Sequence, residues 1–265
     1  MSKTTIEWVV DPDGKSQGRT WNPVTGCHHG CKYCYAERTS NRFRGEPLRT
    51  KLAEKKEVQQ VINGKIEDRI LSAWPAFDIP TLWKARLSEP SAEKKPRTIF
   101  VPSMADLFGE WVPKEWIDAV LKTVRECPQH TFLFLTKKPS RYLEFDIPNN
   151  CWLGATTDTP TSSALRSEAL TIAGNNNKFI SAEPLLGDIS GYVDYDGLDW
   201  IIIGSLNASN SPVPASRGGT HREWVTNLIK EAKGIPVFIK DGLYDLYSDL
   251  PRLRGLPYLG KTEKI

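Results

Sequence analysis

Thr98-Ile99-Phe100-Val101-Pro102 is followed by the stretch Pro113 to Cys127 and then by Thr131-Phe132-Leu133-Phe134-Leu135-Thr136. The two outer runs are short, apolar and rich in β-branched and aromatic residues, which reads as buried strand. Between them Trp116, Ile117, Val120, Leu121 and Val124 recur at helical spacing, and Pro113 suits a first helical position. The same signature continues along the chain. Cys151–Ala155, Lys178–Ala182, Trp200–Gly204 and Pro236–Lys240 read as further strands. Ser163–Ala173, with Leu165, Ala169 and Ile172, and Thr220–Lys233, with Trp224, Val225, Leu228, Ile229 and Ala232, read as helices. Strand and helix alternate, the pattern of an α/β fold around a parallel sheet. No Gly-x-Gly-x-x-Gly follows an early strand, so a closed or partial βα barrel is expected rather than an open doubly wound sheet.

Residues 38–96 break this rhythm, being rich in Lys, Arg and Glu. Within them Val58–Trp74 carries Val61, Ile62, Ile66, Ile70 and Leu71 on a helical period. The expectation is a charged, helical insertion between the first and second barrel strands. Gly174–Asn177, Leu206–Ser211 and Gly218–Gly219 read as loops, not linkers. With no internal repeat and no interdomain hinge, residues 1–265 are expected to form a single domain.

A chain of 265 residues, 39% apolar and 25% charged, is neither disordered nor fibrous. There is no run of eighteen apolar residues, and Met1 to Trp8, with Lys3 and Glu7, lacks the apolar core of a signal peptide. A cytoplasmic protein without a membrane partner is expected. A net charge of +3 does not require a nucleic-acid partner. Arg38, Arg42, Arg44, Arg49, Lys51, Lys55 and Lys56 are interleaved with Glu37, Glu46, Glu54 and Glu57, which reads as a solvated face rather than a phosphate-tracking groove.

Three of the five cysteines, Cys27, Cys31 and Cys34, crowd into one short stretch, which argues against a disulfide framework and for metal ligation. Three thiolates at this spacing can converge on one face of a loop and hold three irons of a cubane cluster, leaving the fourth open. Structural zinc usually takes four protein ligands, and no second Cys-x-x-Cys is present. His28 or His29 could complete a zinc site, although both sit inside the first spacer, where geometry disfavours it. Cys127 and Cys151 read as small core residues.

The pattern Cys-x3-Cys-x-aromatic-Cys, with Tyr33 as the aromatic residue, resembles the cluster motif of radical S-adenosylmethionine enzymes. Thr20-Trp21-Asn22-Pro23-Val24-Thr25-Gly26-Cys27, Cys34-Tyr35-Ala36-Glu37-Arg38, Ser103-Met104-Ala105-Asp106-Leu107-Phe108, Leu135-Thr136-Lys137-Lys138-Pro139 and Ala182-Glu183-Pro184-Leu185-Leu186-Gly187 together resemble the phage gene-product 37/68 family, a radical-SAM-like family of unassigned function. The resemblance implies a partial (β/α)6 barrel of the radical SAM type and a [4Fe-4S] cluster on Cys27, Cys31 and Cys34. It implies S-adenosyl-L-methionine bound at the open iron and cleaved, on reduction, to a 5′-deoxyadenosyl radical, with Tyr33 beside the adenine. A flavodoxin- or ferredoxin-like electron donor and a three-Cys-motif partner protein are the protein partners it suggests, and its link to mobile elements suggests a nucleic-acid or nucleotide substrate.

Sites of βα barrels form at the C-terminal ends of strands, so the polar residues that end each apolar run are the further candidates. These are Ser103, Met104 and Asp106; Thr136 and Lys137; Thr156, Thr157 and Asp158; Ser181 and Glu183; Ser205 and Asn207; Lys240 and Asp241. Lys137 is expected to pair with the methionine carboxylate or a substrate anion, and Glu183 to accept from a ribose or a substrate amine. Asp106 and Asp158 read equally as helix N-caps. One departure stands out: Ser205-Leu206-Asn207-Ala208 replaces the Gly-Glu-Ser-Gly usual in that family, so an acidic group is lost there. The rival reading is a non-catalytic iron–sulfur or zinc module with a nucleic-acid or protein partner.

Overall fold

Runs of Val, Ile, Phe and Trp that are apolar at every position can only be strands covered on both faces, and the computed structural model places them so. It describes residues 1–49, 56–174, 176–208 and 211–260. In chain order the elements are β1 (Ser2–Lys3), β2 (Arg19–Thr20), β3 (Val24–Thr25), α1 (Tyr35–Phe43), β4 (Glu57–Ile62), β5 (Lys65–Ile70), β6 (Thr81–Trp83), α2 (Glu89–Ala92), β7 (Thr98–Val101), α3 (Lys114–Arg125), β8 (Thr131–Thr136), β9 (Cys151–Thr156), α4 (Pro160–Thr171), β10 (Asn177–Ala182), β11 (Trp200–Ile203), β12 (Asn207–Ala208), β13 (Ser211–Pro212), α5 (Arg222–Glu231), β14 (Val237–Ile239) and α6 (Asp241–Leu246).

The main sheet runs β1-β2-β7-β8-β9-β10-β11-β14. Only the β1–β2 pair is antiparallel; every later neighbour is parallel. From β2 onward the spatial order follows the chain without reversal, so there is no switch point of the doubly wound kind. Crossovers of one hand then deliver their helices to one face. Trp116, Ile117, Val120 and Leu121 of α3 and Val225 and Leu228 of α5 accordingly share a core with Ile99, Val101, Phe134, Ile180, Ile201 and Ile239. The alternate strand residues, Phe100, Leu133, Trp152, Phe179, Trp200, Ile202 and Phe238, face away from the helices and enclose Trp8. The Trp8 ring lies 5.1 Å from Phe100 on β7 and 5.7 Å from Trp200 on β11. In a flat sheet those strands would stand about 19 Å apart, so the sheet curves strongly around this one indole.

The predicted helical insertion is corrected by the structure. Residues 38–96 begin with most of α1, but Val58–Trp74 holds a β-hairpin in which β4 and β5 pair from Glu57↔Ile70 to Ile62↔Lys65. The turn is Asn63-Gly64, both at positive φ (49° and 74°), the two-residue connection that matches the twist of a hairpin. The helical period takes Val61, Ile62, Ile66 and Ile70 by spacing alone and leaves out both that dipeptide and their β-branching, which favours strand. With β3 and β6 the hairpin forms a four-stranded sheet ordered β3-β6-β4-β5, whose own small core is Leu48, Val58 and Trp83. Ile70, expected on a buried stripe, is 74% exposed. Lys51, Glu54 and Lys55 of the charged segment lie outside the described residues, as do Asn175 and Ser209–Asn210 of the two loops.

The inward face of α4 also differs from the periodic reading. Leu165 and Ile172 are 66% and 63% exposed, while Ser163, Ser167 and Leu170 are buried. The Ser163 and Ser167 hydroxyls donate to Thr159 O (2.8 Å) and Ser163 O (2.7 Å), so the buried side of this helix is small and internally satisfied. No helix among the described residues is long and apolar enough to cross a membrane.

Trp8→Ala should therefore lower stability by roughly 3–5 kcal/mol, the range for emptying a buried aromatic site. Leu165→Ala should change it by less than about 0.5 kcal/mol. Urea unfolding of the two variants measures both; comparable losses would contradict the assignment of the two faces.

Candidate functional site

All the parallel strands point the same way, so their C-terminal ends share one rim, and the cysteine loop lies on it. After β2 and β3 the chain turns at Gly26, with φ +93°, where a Cβ would lie 2.7 Å from the Ile79 carbonyl oxygen. The Gly26 amide donates to Met104 O (2.9 Å) and the Cys27 amide to Phe77 O (3.0 Å), fixing the start of the loop between β7 and the smaller sheet. Its middle is held by two imidazoles. His28 Nε2 lies 2.8 Å from Asp78 O and His29 Nε2 lies 2.7 Å from Asp106 Oδ2, with the Trp111 ring about 5 Å from both. At its end Cys34 caps α1, the Sγ accepting from the Glu37 amide at 3.3 Å.

The three thiols are unpaired and half-buried. Burial pushes Cys27 up to about 12, and the charges of Asp106, Cys31 and Cys34 add to it. Cys31 is also raised, by burial first, against the opposing pull of Lys137. No group of three or more His, Cys, Asp or Glu side chains among the described residues stands in metal-holding geometry.

Asp106 is 5% exposed, and its carboxylate is filled. Oδ1 accepts from Thr136 Oγ1 (2.7 Å) and the Phe108 amide (3.1 Å); Oδ2 accepts from the Lys137 amide (2.9 Å) and faces His29. Burial alone would raise its carboxyl, but His29, the Lys137 amide and the Thr136 hydroxyl outweigh this and hold it below the ordinary range. Asp106 and Thr136 therefore brace the cysteine loop against the end of β8.

Beside this brace stands a second cluster. Lys137 Nζ donates to Tyr33 Oη and to Asp158 Oδ2, both at 2.6 Å, and Tyr33 Oη donates to Asp158 as well. Asp158 Oδ1 accepts from Ser162 Oγ (2.7 Å) and Arg166 Nη1 (3.0 Å), the latter also bonded to Thr156 O. Burial works against the Asp158 charge, yet Lys137 and these bonds hold its carboxyl well below the usual range. The Tyr33 phenol is pushed far up, by burial and then by its bond to Asp158. Thr157, next in the chain, is buried with its hydroxyl unpartnered.

The remaining candidates fall into separate groups. Glu183 pairs through Oε1 with Lys240, joining the ends of β10 and β14. The charge of Glu183 overcomes the burial of Lys240 and raises its ammonium. Asn22 Oδ1 accepts from the Ser103 amide (2.7 Å) and the Met104 amide (3.1 Å), while Tyr35 Oη donates to Ser103 O (2.7 Å). Ser205 Oγ donates to Asn207 Oδ1 at 3.1 Å, so these two satisfy each other. Ser181 is buried within β10. Asp241 faces outward, paired with Arg254.

Four contributors escape a sequence reading. Asn22 carries a signal in its Asn-Pro step, a turn dipeptide two residues past β2. His29 reads in sequence only as a possible zinc ligand. Ser162 and Arg166 gave none, because the apolar pattern of α4 pointed to a different inward face.

A mostly parallel α/β sheet bearing a three-thiol loop on the C-terminal rim of its strands defines the class of protein. Over residues 3–246 the chain matches the family described as Protein of unknown function (DUF5131), and it belongs to that family. No curated protein and no solved structure matches it.

Asp106→Ala should cost roughly 3–5 kcal/mol, since it strands four buried donors. Because the folded carboxyl lies below its unfolded value, this contribution is complete above about pH 4. It is lost as the pH falls through the folded value. Urea unfolding as a function of pH should show the gap between wild type and variant closing in acid; a gap independent of pH would refute the charged brace.

Proposed function

We propose that the protein is a radical S-adenosylmethionine enzyme acting on an unidentified substrate, with its curved sheet forming a partial (β/α)6 barrel. Cys27, Cys31 and Cys34 hold a [4Fe-4S] cluster. The observation that carries this reading is the set of three unpaired, half-buried thiols on one braced loop at the strand rim. The donor set fits such a cluster: all three donors are soft, and the Asp106 carboxylate beside the loop is already filled by four partners. When bound, the cluster and S-adenosylmethionine supply reductive cleavage of the sulfonium to methionine and a 5′-deoxyadenosyl radical.

The chain's own residues bind and orient. An ammonium has three donors, and Tyr33 and Asp158 take two from Lys137, leaving one for the carboxylate of methionine. Tyr33, held by Asp158 and Lys137, would serve the adenine. Glu183 keeps Oε2 for a ribose hydroxyl or a substrate amine while Lys240 holds Oε1. Ser103 sits between Asn22 and Tyr35 at the same rim, and Ser205 and Asn207 replace an acidic group with a neutral pair. A flavodoxin- or ferredoxin-like protein supplies the electron.

Purified without oxygen, the protein should bind about four irons per chain. Cys31→Ala should abolish this, while Cys127→Ala and Cys151→Ala should not. Iron lost from either control variant would overturn the three-ligand assignment.

Reduced in the presence of S-adenosylmethionine, the protein should release 5′-deoxyadenosine. Glu183→Gln should lower that rate at least about tenfold, equivalent to roughly 1.4 kcal/mol, with iron content unchanged. An iron-loaded protein that releases no 5′-deoxyadenosine would favour the non-catalytic module instead.

A further inference from the structure

A cavity of about 710 Å³ lies between α1 and residues 74–77, with Gly26 and Met104 of the cysteine-loop anchor in its wall. Three guanidinium groups line it, Arg42, Arg49 and Arg86, against one carboxylate, Glu46. Among the described residues none of the three arginines is in an ion pair. Arg86 is the deepest: its guanidinium stacks over Trp83 at 4.4 Å and donates to Asn22 O at 2.9 Å. Burial pulls it down to about 10. The apolar part of the wall includes aromatic rings. Trp74 is half-buried, and Phe43, at the last turn of α1, is 51% exposed although it has no place in any core.

Each feature narrows the occupant. Three guanidinium groups against a single carboxylate in a recess call for an anion with several acceptor oxygens. A bare oxyanion would fill only part of a space within the small-molecule range of roughly 300–1,000 Å³. Aromatic faces beside arginine favour a flat, stackable group as the remainder.

We propose that this cavity binds a nucleoside phosphate unit, the phosphate on Arg42 and Arg49 and the base against Trp74 and Phe43, taken either as a free nucleotide or from a single-stranded nucleic acid. The site is independent of whatever the thiols hold. Its wall shares Gly26 with the loop that begins at Cys27, so a molecule bound here lies next to the cysteine loop.

The test uses the full chain and four probes in equilibrium binding: dTMP, thymidine, inorganic phosphate and the oligonucleotide (dT)12. Binding of dTMP should be saturable, with thymidine and inorganic phosphate each at least about tenfold weaker, because each meets half of the wall. Arg42→Gln combined with Arg49→Gln should weaken dTMP at least about tenfold. Both side chains are exposed, so folding, read by circular dichroism, should not change. Phe43→Ala should weaken dTMP and leave inorganic phosphate unaltered. If (dT)12 binds more tightly than dTMP and loses affinity steeply with salt, the source is a strand; equal affinity assigns a free nucleotide. Absence of saturable binding by both dTMP and (dT)12, unchanged affinity in the double arginine variant, or inorganic phosphate binding as well as dTMP would each overturn the proposal.

Discussion

The buried carboxylate of Asp106 is the interaction on which the rim depends. A charge taken out of water must be met by donors on every side, and those that meet it come from three places. His29 belongs to the cysteine loop, Phe108 to the turn after β7, and Thr136 with the Lys137 amide to the end of β8. The loop therefore cannot move relative to the strands without stranding the carboxylate. The same bond to the Lys137 amide sets the backbone from which the Lys137 side chain reaches Tyr33 and Asp158. One desolvated charge thus positions both the thiols and the nearest cation.

The rim itself exists because the sheet is wound in one direction. Helices gathered on one face leave the other to be filled from within, and a sheet with apolar residues on both faces must curl until that face closes on something. Trp8 supplies the filling, touching rings from strands that stand apart in the sheet order. Curvature brings the strand ends toward one another, so Glu183, just past β10, reaches Lys240 beyond β14, two strands away.

The strands of the main sheet were legible because burial on both faces removes polar residues from every position. Phe132 to Phe134 and Trp200 to Ile203 have no reading other than buried element. The hairpin at residues 57–70 was not. β5 is mostly exposed and charged and β4 only partly buried, so a few apolar residues fit a helical period by spacing alone, while Asn63-Gly64 carries the true signal. The inward face of α4 failed for a different reason: a helix packed closely on β9 uses serine, whose hydroxyls are satisfied along its own backbone, and hydropathy does not register that economy of space. At the site, the thiols and Lys137 could be named from sequence, whereas the contacts of His29 with Asp106 and of Asn22 with the Ser103 and Met104 amides join residues distant in the chain.

The charged segment after the cysteines shows the same limit in electrostatic form. Along the chain, Glu37, Glu46 and Glu57 alternate with arginines and lysines, which in a uniform helix or strand would cancel locally. In the fold, α1 ends at Phe43, and the following residues lie against the chain before β6 through Gly45 N to Trp74 O (3.0 Å), Trp74 N to Glu46 O (3.0 Å) and Leu48 N to Ser72 O (2.8 Å). That change of direction brings Arg42 and Arg49 to the same cavity as Arg86, which is far along the chain, while Glu46 is the one acid of the segment to join them among the described residues. Along the chain four acids are interleaved with seven cations, but the segment presents Arg42 and Arg49 against the single Glu46 where it meets the recess. A field is set by distance through space, and at separations below the roughly 8–10 Å over which salt screens charge, the spatial grouping governs which ligand the recess can hold.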